Sequence, residues 1–175
     1  MKDPRILKLA ESLINYAVEL NPGDKILIEV TGEASPLVQA LLSEAYRAQG
    51  VPFLEINNPT LTRELLKSAS QEQLSAMGRW DRARMSEMQA YIGLRAGDNV
   101  NEWADLPSEK LRLYSEYYAK PVHMEERVKN TRWCVLRYPN KSMAQLAQMS
   151  TESFEDFYFR VCNLDYAALS KAMDP

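Results

Sequence analysis

A single histidine limits the chemistry this chain can support. His123-Met-Glu125-Glu126 places an imidazole beside two carboxylates, and hydrolytic metal centres draw their ligands from these residue types. One histidine with scattered carboxylates is the minimal version of such a centre. The simpler reading puts His123 in an exposed loop or at a helix start. The same residue is the sole base available for a Ser/His/Asp triad, and no G-x-S-x-G turn exists to present a serine. No catalytic and no metal-binding residue is therefore assigned.

Phosphate chemistry fares no better. After the first apolar run the chain reads Thr31-Gly32-Glu33-Ala34-Ser35-Pro36. A dinucleotide fingerprint needs three glycines so that backbone N–H groups can approach a pyrophosphate. Here Glu33 would repel the phosphate and Pro36 lacks a donor. Gly93, Gly97, Asp98 and Asn99, after the third run, also miss the spacing. The basic residues Arg79, Arg82, Arg84 and Arg95 read as a solvated helix face. The alternative is a carboxylate-binding cleft, which bidentate guanidinium geometry suits.

The elements that would position these residues alternate. Asp3-Pro4 caps a helix whose inward face is Ile6, Leu9, Ala10, Leu13, Ile14, Ala17 and Leu20. Asn21-Pro22-Gly23-Asp24 is a turn, and strand 25–30 follows. Ser35-Pro36 opens a second helix, for which Gly50 is the stop. Strand 51–56, helix 60–69, a helix capped by Ser70, strand 90–95, helix 106–119, strand 133–137, a helix from Ser150 to Cys162 and a helix over 165–173 complete the series. Arg95 to Asp105 reads as a long loop, where Trp103 could cover a cavity. Trp133 reads as core. Phe154, Phe157, Val161 and Leu164 recur at helical steps and are expected inside, leaving Tyr158 on a flanking face suited to an interface.

Strands separated by crossover helices, and apolar on both faces, predict an α/β fold. Its sheet is mostly parallel, with helices on both faces, doubly wound and non-nucleotide-binding. Strand order is not legible. At 175 residues the chain fits one domain with an adequate core, without metal or disulfide. Twenty-one Lys and Arg against 24 Asp and Glu give a net charge of −3, with no basic stripe for nucleic acid. Cys134 and Cys162 lie in apolar runs without metal spacing, so buried free thiols are expected. No segment reads as a signal peptide or a membrane span, and a soluble cytoplasmic protein is expected.

Four opening fragments, Asp3-Pro4-Arg5, Lys8-Leu9-Ala10, Leu13-Ile14-Asn15-Tyr16 and Pro22-Gly23-Asp24-Lys25, resemble the start of M29 metallopeptidases. The similarity is most specific from Arg132 to Tyr166, where Tyr138-Pro139, Met143-Ala144, Met149-Ser150 and Phe154-Glu-Asp-Phe-Tyr fall in the family's order. It is weakest from Trp80 to Val128.

The resemblance implies the N-terminal domain of a two-domain, dimeric aminopeptidase that releases N-terminal amino acids from peptide substrates. It also implies two divalent ions, cobalt, zinc or magnesium, held by Glu, His, Asp and Tyr of a C-terminal catalytic domain. None of those ligand motifs maps onto this chain. The expected organisation is an α/β domain over residues 1–163, with 164–175 starting a linker helix toward that second domain and ending at Asp174-Pro175. The expected role is a scaffold that closes the cavity, without a metal site or activity of its own. The alternatives are a free-standing small-molecule binding module and an oligomerisation module.

Overall fold

A computed structural model describes residues 3–173. The terminal Asp174-Pro175 lies outside them. Four parallel strands form one sheet in the order β2-β1-β3-β4: β1 Lys25–Gly32, β2 Val51–Asn57, β3 Ala90–Ala96 and β4 Arg132–Arg137. The α/β prediction holds, and the order supplies what the sequence did not. The winding reverses between β1 and β3, the place where open α/β sheets form their crevice. Gly32, at φ 89°, ends β1 there. A Cβ on it would stand 2.4 Å from the Ala96 carbonyl oxygen, so only glycine lets the two strand ends close up.

The first face of the sheet is apolar. Ile26, Ile28 and Val30 of β1 and Ala90, Ile92, Leu94 and Ala96 of β3 pack under α1 (Pro4–Ser12), α2 (Ser35–Arg47) and α8 (Thr151–Cys162). The period-2 pleat then turns Leu27, Glu29 and Thr31 to the second face, with Glu55, Asn57, Tyr91 and Arg95. That face is half polar. The expectation of strands apolar on both faces is corrected here: carboxylates alternate with aliphatics because the second face borders a cavity rather than a dry core.

Helices α3 (Pro59–Ser68), α4 (Gln71–Met85) and a long helical run cover the second face. The run begins as α5 (Ser108–Tyr114), widens to π-type turns over Ser115–Arg127 and ends as α6 (Val128–Asn130). It overshoots the predicted end at residue 119 by more than ten residues and passes through Pro121. Wide turns give a proline inside a helix a place without the usual i−4 bond. Gly78 of α4 lets this run approach: a Cβ there would stand 2.2 Å from the Tyr117 carbonyl oxygen.

Caps follow the sequence closely. Asp3, Asn58, Ser70, Asn140 and Ser150 each accept from a backbone N–H in the first turn of α1, α3, α4, α7 (Lys141–Leu146) and α8. Ser35 does not cap α2. Glu33 accepts from its N–H at 2.8 Å instead. Gln49, not Gly50, takes the left-handed conformation after α2. The first helix ends in a π stretch, Leu13–Ala17, whose extra residue per turn shifts the inward phase. Val18 is buried and Ala17 exposed, the reverse of the predicted stripe.

The aromatic segment is rotated from its predicted phase. Tyr158 and Phe159 enter the core, and the Tyr158 hydroxyl donates to the Arg137 carbonyl. Phe157, Val161 and Leu164 are exposed. Trp133 is also 42% exposed, because β4 is an edge of the sheet and Trp133 lies on its less covered face. The final helix, α9, spans Tyr166–Met173. Among the described residues no helix is long and apolar enough to cross a membrane.

Candidate functional site

The second face encloses a cavity of about 340 Å³. Its floor is the C-terminal half of β1, β2 and β3, and its walls are α3, α4, the long helical run and the loop carrying Trp103. Register explains the floor. Glu29 pairs with Glu55 across β1 and β2, and with Gly93 across β1 and β3. Two carboxylates therefore stand side by side, and the Tyr91 ring and hydroxyl fill the place a Cβ on Gly93 would take.

Each carboxylate is held. The Glu29 side chain is 91% buried. Its Oε2 accepts from the Tyr91 hydroxyl at 2.8 Å and its Oε1 from Asn57 Nδ2 at 3.2 Å. Asn57 also donates to Glu55 Oε1 at 3.3 Å. Arg84 forms an ion pair with Glu55 and lies 3.3 Å from Asp81 Oδ1. The Tyr118 hydroxyl donates to Asp81 Oδ2 at 2.8 Å. Burial, the Glu29 carboxylate and its hydrogen bond push the Tyr91 phenol far up. Burial and Asp81 do the same for Tyr118. Both phenols stay protonated donors.

An aromatic wall stands beside these groups. Tyr114 and Tyr118 stack at 5.1 Å, and Trp103 meets Tyr114 edge-on at 5.5 Å. Trp103 is fixed by its indole N–H, which donates to the Pro59 carbonyl at 3.0 Å. Its predicted role as a cover over a cavity is borne out. Burial pushes the Tyr114 phenol up to about 12.

His123 corrects the sequence reading. It sits within the long helix, not in an exposed loop or at a helix start, and it lines the cavity. Its ring lies edge-on to Tyr118 and Tyr91, and its buried Nδ1 has no hydrogen-bond partner among the described residues. Burial, with Arg127 and Arg95 nearby, lowers its pKa to about 4, so the imidazole is neutral at pH 7. Arg127 itself is buried between the Tyr91 and Trp133 rings, 4.9 and 4.6 Å from their centres.

The predicted basic cluster divides. Arg95 lines the cavity, where it donates to Thr31 Oγ1 at 3.2 Å and lies 3.8 Å from Glu29. Arg84 braces the cavity's carboxylates. Arg82 turns away to Glu126 at 3.2 Å. Arg79 is exposed. Sequence reasoning missed Glu29, Glu55, Asp81, Tyr91, Tyr114 and Tyr118. The available signal was a glutamate at a matching place in two otherwise apolar strands, ILIEV and FLEI.

These residues do not fit a two-ion centre. Among the described residues no three His, Cys, Asp or Glu converge on a point where an ion could sit. The carboxylates that line the cavity already face guanidinium, phenol or amide donors. No step through a metal is assigned to them. Cys134 and Cys162 are free and half-buried, and burial raises both thiols.

No curated protein matches the sequence. Among solved structures the chain is similar to wild-type AmpT from Thermus thermophilus, with a TM-score of 0.70 and 19% identity. The match covers 91% of this chain and 43% of AmpT, so the chain spans less than half the length of that relative. At that identity the likeness establishes a shared fold. The family model for the thermophilic metalloproteases, M29, matches residues 2–172. The chain belongs to the M29 metallopeptidase family.

Proposed function

We propose that this chain is the N-terminal, cavity-forming domain of a metal-dependent aminopeptidase that releases N-terminal amino acids from peptides. Residues 1–163 form the domain, and 164–175 begin a linker helix toward a C-terminal catalytic domain. Cobalt, zinc or magnesium ions would be held there, and this chain alone would be inactive.

The observation that supports this reading is a family match over residues 2–172 in a chain where, among the described residues, no three His, Cys, Asp or Glu side chains gather as metal ligands would. Exposed Phe157, Val161 and Leu164 on and just beyond α8 support contact with a second domain or a second subunit of a homodimer. Half-buried free thiols suit a cytoplasmic location.

Calorimetric titration of the purified chain with cobalt and zinc tests the assignment. The expected result is no tight, saturable uptake. Two ions bound per chain with submicromolar affinity would place a metal centre in these residues and overturn it.

A further inference from the structure

Away from the cavity, the chain's two cysteines pack against one core on the first sheet face. We propose that Cys134 and Cys162 are a peroxide-oxidisable pair, in which Cys162 meets the oxidant and Cys134 resolves the product into a disulfide. This inference concerns β4 and α8 alone and is independent of the metal assignment.

Register and helix position bring the thiols together. Cys134 pairs with Ile92 across β3 and β4, and Ile92 lies in the first-face core. The Cys134 side chain therefore points to the face that α8 covers. Cys162 is the last residue of α8 and packs against the same core. Tyr158, one turn earlier, ties the two elements. Its hydroxyl donates to the Arg137 carbonyl of β4 and lies beside the Cys162 thiol. The thiols are close enough that a charge on Cys162 opposes one on Cys134.

Their surroundings set different roles. Burial raises both thiols. The Tyr158 hydroxyl offsets part of that for Cys162 by favouring its thiolate. For Cys134 the Cys162 charge adds to it. The thiolate is the nucleophile, so Cys162 reacts first.

The chemistry balances with hydrogen peroxide as oxidant. The Cys162 sulfur bonds one peroxide oxygen, the O–O bond breaks, and hydroxide leaves a sulfenic acid behind. The Cys134 thiolate attacks that sulfur, the S–S bond forms, and a second hydroxide leaves. The two thiol protons convert both hydroxides to water. Two thiols and one peroxide thus give one disulfide and two waters. The bond pins the last turn of α8 to the edge strand of the sheet, just before residues 163–165 lead into α9.

The experiment treats the reduced full chain with hydrogen peroxide at pH 8. The intact mass should fall by two hydrogen atoms as both titratable thiols are lost, with the chain still single on a non-reducing gel. Peptide mapping should join the Cys134 and Cys162 peptides, and dithiothreitol should part them. The rate should rise with pH, because both thiols sit above their ordinary value. With dimedone present, Cys134→Ser should accumulate a captured sulfenic acid on Cys162. Cys162→Ser should be captured at Cys134 at least about tenfold more slowly. If either variant fails to fold, by far-UV circular dichroism, the site of dimedone capture in the wild-type chain decides. Oxygen added to both cysteines without a cross-link, a bond between two chains, or equal capture at the two sites would overturn the proposal.

Discussion

Tyr91 reaches diagonally from β3 to β1 and donates a 2.8 Å hydrogen bond to Glu29, with Tyr91 fully buried and Glu29 8% exposed. Gly93 makes the diagonal possible. It stands opposite Glu29 in register, and a Cβ there would come within 3.0 Å of the Tyr91 ring and hydroxyl. The bond anchors the cavity floor and fixes the one carboxylate that shares neighbours with both β2 and β3.

Tyr91→Phe removes that donor and keeps the ring. A hydrogen bond to a buried charged group is worth about 1.5–3 kcal/mol, so a loss of that size is expected. Urea unfolding measures it. A change below about 0.5 kcal/mol would mean that water replaces the hydroxyl without cost.

His123 makes stability pH-dependent in a defined window. Its folded pKa, about 4, lies below the ordinary value of 6.5. Between these values the unfolded chain binds a proton that the folded chain refuses. Stability is therefore full above about pH 6.5 and falls as the pH drops toward 4. Between pH 7 and pH 5 the loss from this group is about 2 kcal/mol. His123 is the single histidine, so His123→Gln should flatten that part of the curve. The NMR titration of its C2 proton gives the pKa directly, and a value near 6.5 would contradict the buried placement.

Gly78→Ala should separate α4 from the long helical run. The added Cβ meets a backbone carbonyl at 2.2 Å, which no side-chain rotation relieves. A cost of about 1–3 kcal/mol or more is expected from overpacking. Thermal unfolding reads it. An unchanged melting temperature would show that the two helices are not in contact there.

Asp24 and Arg132 pair across the N-terminal ends of β1 and β4. Burial pushes the Asp24 carboxyl up, but hydrogen bonds from Asn21 and Arg132 outweigh it and hold the group below its ordinary range. This stabilisation is present above the ordinary carboxylate pKa and is lost as pH falls through the lowered value. Arg132→Ala should therefore cost most at neutral pH, about 0.5–1 kcal/mol for a partly exposed pair, and little in strong acid. Unfolding curves at pH 7 and pH 2 make the comparison.

The fold was legible where local chemistry decides it. Asp3, Ser70 and Ser150 announce helix starts, and ILIEV and YIGLR announce strands. The site was less legible because register creates it. Glu29 and Glu55 lie 26 positions apart and meet only when β1 pairs with β2. His123 falls beyond the predicted helix end at residue 119, while the wide turns over Ser115–Arg127 carry the helix on past Pro121. The same mechanism, a π stretch at Leu13–Ala17, moved the buried position from Ala17 to Val18. A 3.6-residue period cannot anticipate an inserted residue.

The central proposal is that this chain, a member of the M29 metallopeptidase family, is inactive on its own. Its most direct test is an assay of leucine release from a leucine anilide by the purified 175-residue chain with added cobalt. The predicted result is no release above the metal-only control. Release that depends on cobalt and stops with a chelator would show that a working metal centre lies within these residues, and would contradict the account.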